Sequence, residues 1–306
     1  MRVGLWLDDE DRPLEEIRKR AAAAGEAGFA TVWLSERGGW DPLTLLAALG
    51  PQPSGVLVGT SIVRSHPRHP LALAAQALTV QAATGSQLVL GVGPGHGPVV
   101  EGQYGYSAVG PVANLREYLQ VLLPLLRGEE VSYQGRAWHA AGAVGVPNAD
   151  PPPVFLSALG PHMLRLTGEL ADGTLTNWMG PRSIAEYVLP TLAQAAAAAD
   201  RPVPTVVAGV CLSLTRHPDE VRSWVHDRFG AASGLPSYRA VFDREGITGP
   251  ADTVLAGDET TLEREISRFA AAGVTELQVV PCGSAAEQDR TIEFAATLAL
   301  STGFTA

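Results

Sequence analysis

The chain alternates between short apolar runs and longer stretches with apolar residues at helical spacing, almost from end to end. Arg2–Leu7 reads as a strand, and Pro13–Ala27 as an amphipathic helix with Asp11 as its cap and Gly28 as its stop. Thr31–Leu34 is a second strand, with a helix from Pro42 to Leu49. Gly55–Thr60, the loop Ser61–His69 and a helix from Pro70 to Ala83 form the third unit. Leu88–Gly93 is a fourth strand and Val112–Arg127 its helix. Apolar runs without alternation are what parallel strands covered on both faces look like.

The pattern then breaks and resumes. Glu130–Ala141 alternates like a small hairpin turning near Gln134-Gly135, and Pro147–Pro153 is a Pro-rich connector. Val154–Ala158 is a fifth strand, and Pro161 sits in the first turn of a helix reaching Leu170. Gly173–Asn177 and Pro181–Ala199 form the sixth unit. Pro204–Leu214 is a seventh strand, followed by a polar, helix-forming excursion over Arg216–Gly257. Leu262–Ala272 is a helix, Glu276–Pro281 an eighth strand and Ala285–Leu300 a closing helix. Eight strand–helix units predict an α/β fold, a (β/α)8 TIM barrel; a doubly wound open sheet is the alternative. No linker divides the chain, so residues 1–306 are expected to form one domain with insertions near 94–111, 130–153 and 216–257.

Composition narrows the partners. The formal net charge of −10 and a single lysine, Lys19, argue against nucleic acid and against an anionic membrane surface. Cys211 and Cys282 stand far apart and make neither a zinc spacing nor a disulfide framework. With no signal-peptide pattern at the N-terminus and no apolar run long enough to span a bilayer, a cytoplasmic protein is expected.

The barrel rule places the chemistry at the C-terminal ends of the strands. Those ends carry Trp6 and Asp8, then Glu36, Trp40 and Asp41, then Thr60, Ser61 and Ile62. Next come Gly93-Pro94-Gly95-His96, Ser157-Ala158-Leu159-Gly160, Asn177 with Trp178, and Cys282. The Gly/Pro loop lets backbone approach a ligand closely and holds one titratable side chain, His96. The alternative is a tight turn with a solvent-facing histidine. Ser157–Pro161 joins a strand to a helix start, where free N–H groups favour a phosphate. No glycosidase-like carboxylate pair, nucleophile elbow or His-Glu-x-x-His is present. His96 and Pro94 spoil a dinucleotide fingerprint. His66, His69 and His96 lack an accompanying carboxylate cluster, so no metal is expected, and Cys282 reads as a small buried hydrophobe.

Several segments together resemble the bacterial luciferase-like flavin/deazaflavin superfamily, most closely its coenzyme F420-dependent oxidoreductases. They are Val58–Val63, Pro67–Pro70 with Ala72–Gln76, Leu90–Glu101, Ala158–Pro161 and Gly168–Gly173. The resemblance implies a homodimer with the cofactor ring in the barrel mouth. Thr60, Ser61 and Ile62 would lie behind the ring, across a cis Ser61–Ile62 bond. Gly93, Pro94, Gly95 and His96 would lie beside it, and Ser157, Ala158, Leu159, Gly160 and Pro161 along the ribityl phosphate. Asn177 is assigned to the cofactor as well. The sugar-phosphate branch departs from this chain: it has histidine after the acidic residue ending strand two, where this chain reads Ser35-Glu36-Arg37, and glutamate at the position of His96. Its phosphate-binding lysines are absent, so a sugar phosphate is not expected. Trp6, Trp40 and Trp178 then suggest an apolar or aromatic small-molecule substrate. The expected function is F420-dependent hydride transfer with His96 as proton donor and Glu36 as the next candidate. The alternatives are an FMN-dependent luciferase-like monooxygenase and a non-catalytic cofactor-binding dimer. Arg216–Gly257 is expected to be a lid over the mouth.

Overall fold

The structure is a computed structural model and describes residues 1–85 and 87–301. Residues 86 and 302–306, which the one-domain expectation also covers, lie outside the described residues. The first half contains β1 (Arg2–Trp6), α1 (Leu14–Glu26), β2 (Thr31–Leu34), α2 (Pro42–Leu49), β3 (Leu57–Thr60), β4 (Val63–Arg64), α3 (Pro70–Thr84) and β5 (Leu88–Gly93). Then follow α4 (Gly97–Gly102), α5 (Pro111–Leu126), the hairpin β6 (Val131–Gln134) and β7 (His139–Gly142), β8 (Val154–Ser157), α6 (Pro161–Leu170) and β9 (Gly173–Asn177). The rest contains α7 (Pro181–Ser183), α8 (Leu189–Ala198), β10 (Thr205–Leu214), α9 (Pro218–Phe229), α10 (Pro236–Glu245), β11 (Leu255–Gly257), α11 (Glu259–Ala271), β12 (Glu276–Pro281) and α12 (Ala285–Leu300).

Eight parallel strands close a TIM barrel in the order β1-β2-β3-β5-β8-β9-β10-β12, with β12 returning to β1. The short β4 and β11 lengthen the wall beside β5 and β10. Along β12 the alternation is plain: Leu277 and Val279 pack outward against helices, while Glu276, Gln278 and Val280 face inward. Proline opens many of the helices, among them α2, α3, α5, α6, α9 and α10, where its missing N–H costs nothing.

The structure departs from the local readings in four places. Asp11 is not the cap of α1: Pro13 occupies that position, and Asp11 has a left-handed φ of 54° in the preceding turn. The helix read over Pro181–Ala199 is interrupted by a π-helical turn at Ile184–Val188. Pro190 explains the break, because it has no N–H to donate to the Glu186 carbonyl. The loop Ser61–His69 carries β4, and the excursion after Pro94 carries α4.

The interior is filled below the mouth by Trp6, Trp33, Val89, Phe155, Leu175 and Val207. Trp33 Nε1 donates to Glu276 Oε1 at 2.8 Å in the floor of the barrel. Gly4 makes room for that pair: a Cβ there would lie 2.5 Å from Glu276 Oε1 and 2.7 Å from Trp33 Nε1.

Candidate functional site

A cavity of about 590 Å³ opens at the C-terminal ends of the strands. Its base is a chain of hydrogen bonds across four strands, β1, β2, β3 and β12. Trp6 Nε1 donates to Ser35 Oγ at 2.9 Å, and Ser35 Oγ donates to the Ser61 carbonyl at 2.6 Å. Ser61 Oγ donates to Gln278 Oε1 at 3.1 Å. The Ser61–Ile62 bond is cis, as the resemblance implied. Ser61 and Ile62 line the cavity. Thr60 is fully buried behind them, its hydroxyl donating to the Gly91 carbonyl at 2.8 Å and accepting from the Gly91 N–H at 2.9 Å.

The fourth-strand loop forms the next wall. Gly93 is buried under it, where a Cβ would sit 2.9 Å from Ile62 Cδ1. Pro94, Gly95 and His96 line the cavity. Gly95 needs its left-handed φ of 76° to turn the chain past Arg64. Burial, reinforced by the charge of Arg64, holds the His96 imidazole below the usual histidine range. Opposite, Ser157, Leu159 and Gly160 reach the cavity, whereas Ala158 is buried and Pro161 begins α6 behind them. No side chain caps α6, so its first N–H groups have no capping partner at the Gly160 edge. A Cβ on Gly160 would meet nothing within 4 Å.

Asn177 and Trp178 complete the far wall, with Trp178 in a left-handed conformation at φ 55°. The excursion supplies the roof. Tyr238 of α10 packs 4.5 Å from the Trp178 ring and Phe229 lies 6.1 Å from it. Burial pushes the Tyr238 hydroxyl up, opposed by the Asn177 side chain beside it. Arg228 of α9 ties this roof to the first strand end, 3.1 Å from Asp8 and 2.6 Å from Glu10. Arg37 stacks 4.7 Å over the Trp6 ring and bonds Asp8 and Asp9.

Two expected residues have other settings. Trp40 is not among the residues lining the cavity; it is 41% exposed and donates to the Arg12 carbonyl at 3.2 Å. The two glycines before it, Gly38 and Gly39, carry the chain outward at this point. Glu36 lines the cavity, but its carboxylate is engaged by Arg68 at 2.8 Å, by the Arg64 N–H at 2.8 Å and by the Arg64 guanidinium at 3.3 Å. Asp41 bonds Arg68 and caps α2.

Other wall residues escaped sequence reading. Gln278 and Cys211 could have been found by their inward parity on β12 and β10. Ser237 and Tyr238 carried no signal, because nothing periodic tells which face of a polar excursion turns inward. Cys211 and Cys282, remote in sequence, are neighbours in space, and burial pushes the Cys282 thiol up.

The barrel with its site at the strand C-termini defines a class, and sequence places the chain within it. The luciferase-like monooxygenase family model matches residues 1–299, and the chain belongs to that family. It is 28% identical over 284 residues to the F420-dependent glucose-6-phosphate dehydrogenase of Nakamurella multipartita, covering 88% of this chain and 82% of that one. It is 32% identical over 201 residues to Rv3520c of Mycobacterium tuberculosis, assigned by its name to the coenzyme F420-dependent oxidoreductases. That match takes in 61% of this chain and spans 57% of the relative's length. Among solved structures, the coenzyme F420 dependent tetrahydromethanopterin reductase of Methanopyrus kandleri superposes with a TM-score of 0.81 at 23% identity, covering 96% of this chain and 97% of that one.

Proposed function

We propose that this protein is a coenzyme F420-dependent oxidoreductase acting on a small, apolar or aromatic molecule. The reaction is reduction of a C=C, C=N or C=O bond, or its reverse. One observation carries the reading: a single cavity runs from the Ser61–Ile62 ledge past His96 to the uncapped start of α6 at Gly160. The family membership and the names of the relatives support the cofactor.

In this reading Thr60, Ser61 and Ile62 back the deazaflavin ring, and Gly93, Pro94 and Gly95 flank it. Ser157 through Pro161, with Asn177, hold the phosphate-bearing side chain. The open space at Gly160 and the unsatisfied N–H groups of α6 fit an anionic group. When bound, F420 supplies or accepts the hydride. Trp6 and Trp178 shape the substrate side, with Phe229 and Tyr238 above. His96 carries the proton. Burial and Arg64 lower its pKa, which favours the neutral ring and makes the protonated ring the stronger acid toward substrate. Glu36 ranks below it, since two arginines already engage its carboxylate. The enzyme is read as a cytoplasmic homodimer whose partner is its substrate, not nucleic acid or membrane.

A fluorescence titration tests the cofactor, because Trp6 and Trp178 line the cavity. F420 is expected to quench saturably and FMN weakly. Tighter binding of FMN, with oxygen consumption by the reduced complex, would replace this reading with the monooxygenase chemistry after which the family is called.

A further inference from the structure

His96 stands at the N-cap position of α4, yet its side chain caps nothing there. The ring is met instead by α10, which is 141 residues away in sequence. Ser237 Oγ lies 3.3 Å from His96 Nδ1, and the Tyr238 ring lies 5.0 Å from the imidazole. Among the described residues Nε2 has no protein partner. The helix that brings Ser237 is itself anchored at both ends. Tyr238 packs on Trp178, and Glu245 accepts the Gly180 N–H at 2.9 Å. Ser237 follows Pro236 in the first turn of α10, so its hydroxyl projects from a fixed backbone.

We propose that Ser237 is a positioning residue: its hydroxyl engages His96 Nδ1 and leaves Nε2 as the nitrogen through which the proton passes. This rests on the reading of His96 as proton carrier. The neutral tautomer proposed carries its hydrogen on Nδ1, donated to Ser237 Oγ, with the Nε2 lone pair free. When Nε2 takes a proton from substrate, the ring becomes a cation and the Nδ1–H···Oγ bond persists. When Nε2 gives that proton back, the same neutral tautomer returns. The hydride moves separately, between substrate and cofactor, so charge and electrons balance. An excursion outside the barrel units thereby sets the state of a residue on the fourth-strand loop. The cation facing the ring is Arg64 of β4, and the titratable neighbour is Tyr238 of α10.

The test is ¹⁵N NMR of the full chain with labelled histidine, with the His96 signals assigned by their loss in His96→Gln. The wild type is expected to show the Nδ1–H tautomer in its neutral form. Ser237→Ala should move it toward the Nε2–H tautomer that free imidazole side chains favour, and Ser237→Thr should restore it. F420 titration of each variant reports that the site is intact. An unchanged tautomer in Ser237→Ala overturns the positioning role and leaves the function untouched. A tautomer that shifts while His96→Ala transfers hydride at the wild-type rate overturns the proton-carrier role, and the proposed function of His96 with it.

Discussion

Two levels of the same barrel interior use polar side chains in opposite ways. In the floor, Glu276 is fully enclosed and accepts from Trp33 at 2.8 Å and Thr31 at 3.1 Å, with Arg2 at 3.0 Å. Two residues along β12, Gln278 reaches the mouth, where, among the described residues, its side chain has one hydrogen bond, from Ser61 at 3.1 Å, and borders the cavity. Strand, parity and polarity are alike. What differs is whether large neighbours fill the space, and in the floor Trp33 and Phe155 do. A polar group enclosed by its partners holds the fold; one left beside open volume is available to a ligand.

The largest expected effect sharpens the functional side of that contrast. His96→Ala should lower hydride transfer about 10²- to 10⁴-fold while F420 affinity stays within a few-fold. Single-turnover oxidation of reduced F420 by a panel of enone and imine acceptors measures it. Thermal stability should barely move, since the ring faces the cavity. A fall in stability matching that of a floor variant would break the contrast.

Glu276→Ala is the floor counterpart. It strands the Trp33 N–H and the Thr31 hydroxyl and opens a void, so about 3 kcal/mol of stability should be lost. Urea denaturation measures this, and the folded fraction should still bind F420 normally. Weaker cofactor binding by fully folded Glu276→Ala would mean that the two levels are coupled.

The eight barrel strands were legible because each is an apolar run covered on both faces, and prolines mark where many helices begin. The ledge at Ser61–Ile62, the loop at His96 and the edge at Gly160 were legible for a related reason: they sit at strand ends, where the topology puts a site. Trp40 shows the limit of that rule. It follows strand two closely, but Gly38 and Gly39 leave its direction unconstrained, and it stands outside the cavity. Ser237 and Tyr238 show the other limit. Their contacts with His96 and Trp178 span 141 and 60 residues of sequence, and no local pattern encodes such a meeting.

Gly160→Val tests the mouth without touching the floor. The backbone there is extended, with φ −109°, and a Cβ meets nothing within 4 Å. The stability loss should therefore stay under about 1 kcal/mol, the range of a poorer N-cap. Affinity for F420 should fall about tenfold, because the branched side chain occupies the approach to the α6 N–H groups. Isothermal titration of both proteins decides it, and equal affinities would remove the phosphate from this edge.

The smallest effect is a difference in pH dependence, opposite in sign because burial disfavours the charged form of a base in the mouth and of an acid in the floor. His96 has a folded-state pKa below its ordinary 6.5, first because of burial and then because of Arg64. The unfolded chain therefore binds more protons as the solution is acidified through that range. The neutral ring's contribution is whole above pH 6.5 and is lost as pH falls through the lowered folded value. Glu276 is the reverse. Burial raises its pKa above the ordinary 4.5 despite Arg2, Trp33 and Thr31, so the protonated form is favoured in the folded chain. Its contribution is whole below pH 4.5 and is lost as pH rises through the raised folded value. His96→Gln should thus gain on the wild type as pH falls from 7.5 to 5.5, and Glu276→Gln should gain on it as pH rises from 4.5. Denaturation midpoints taken across both ranges give the two slopes. Comparing each variant with the wild type cancels the many surface carboxylates, whose titration is common to all three proteins. Slopes of the same sign would mean that burial does not govern the titration of one of the two groups, and that group's placement in an enclosed setting would fail.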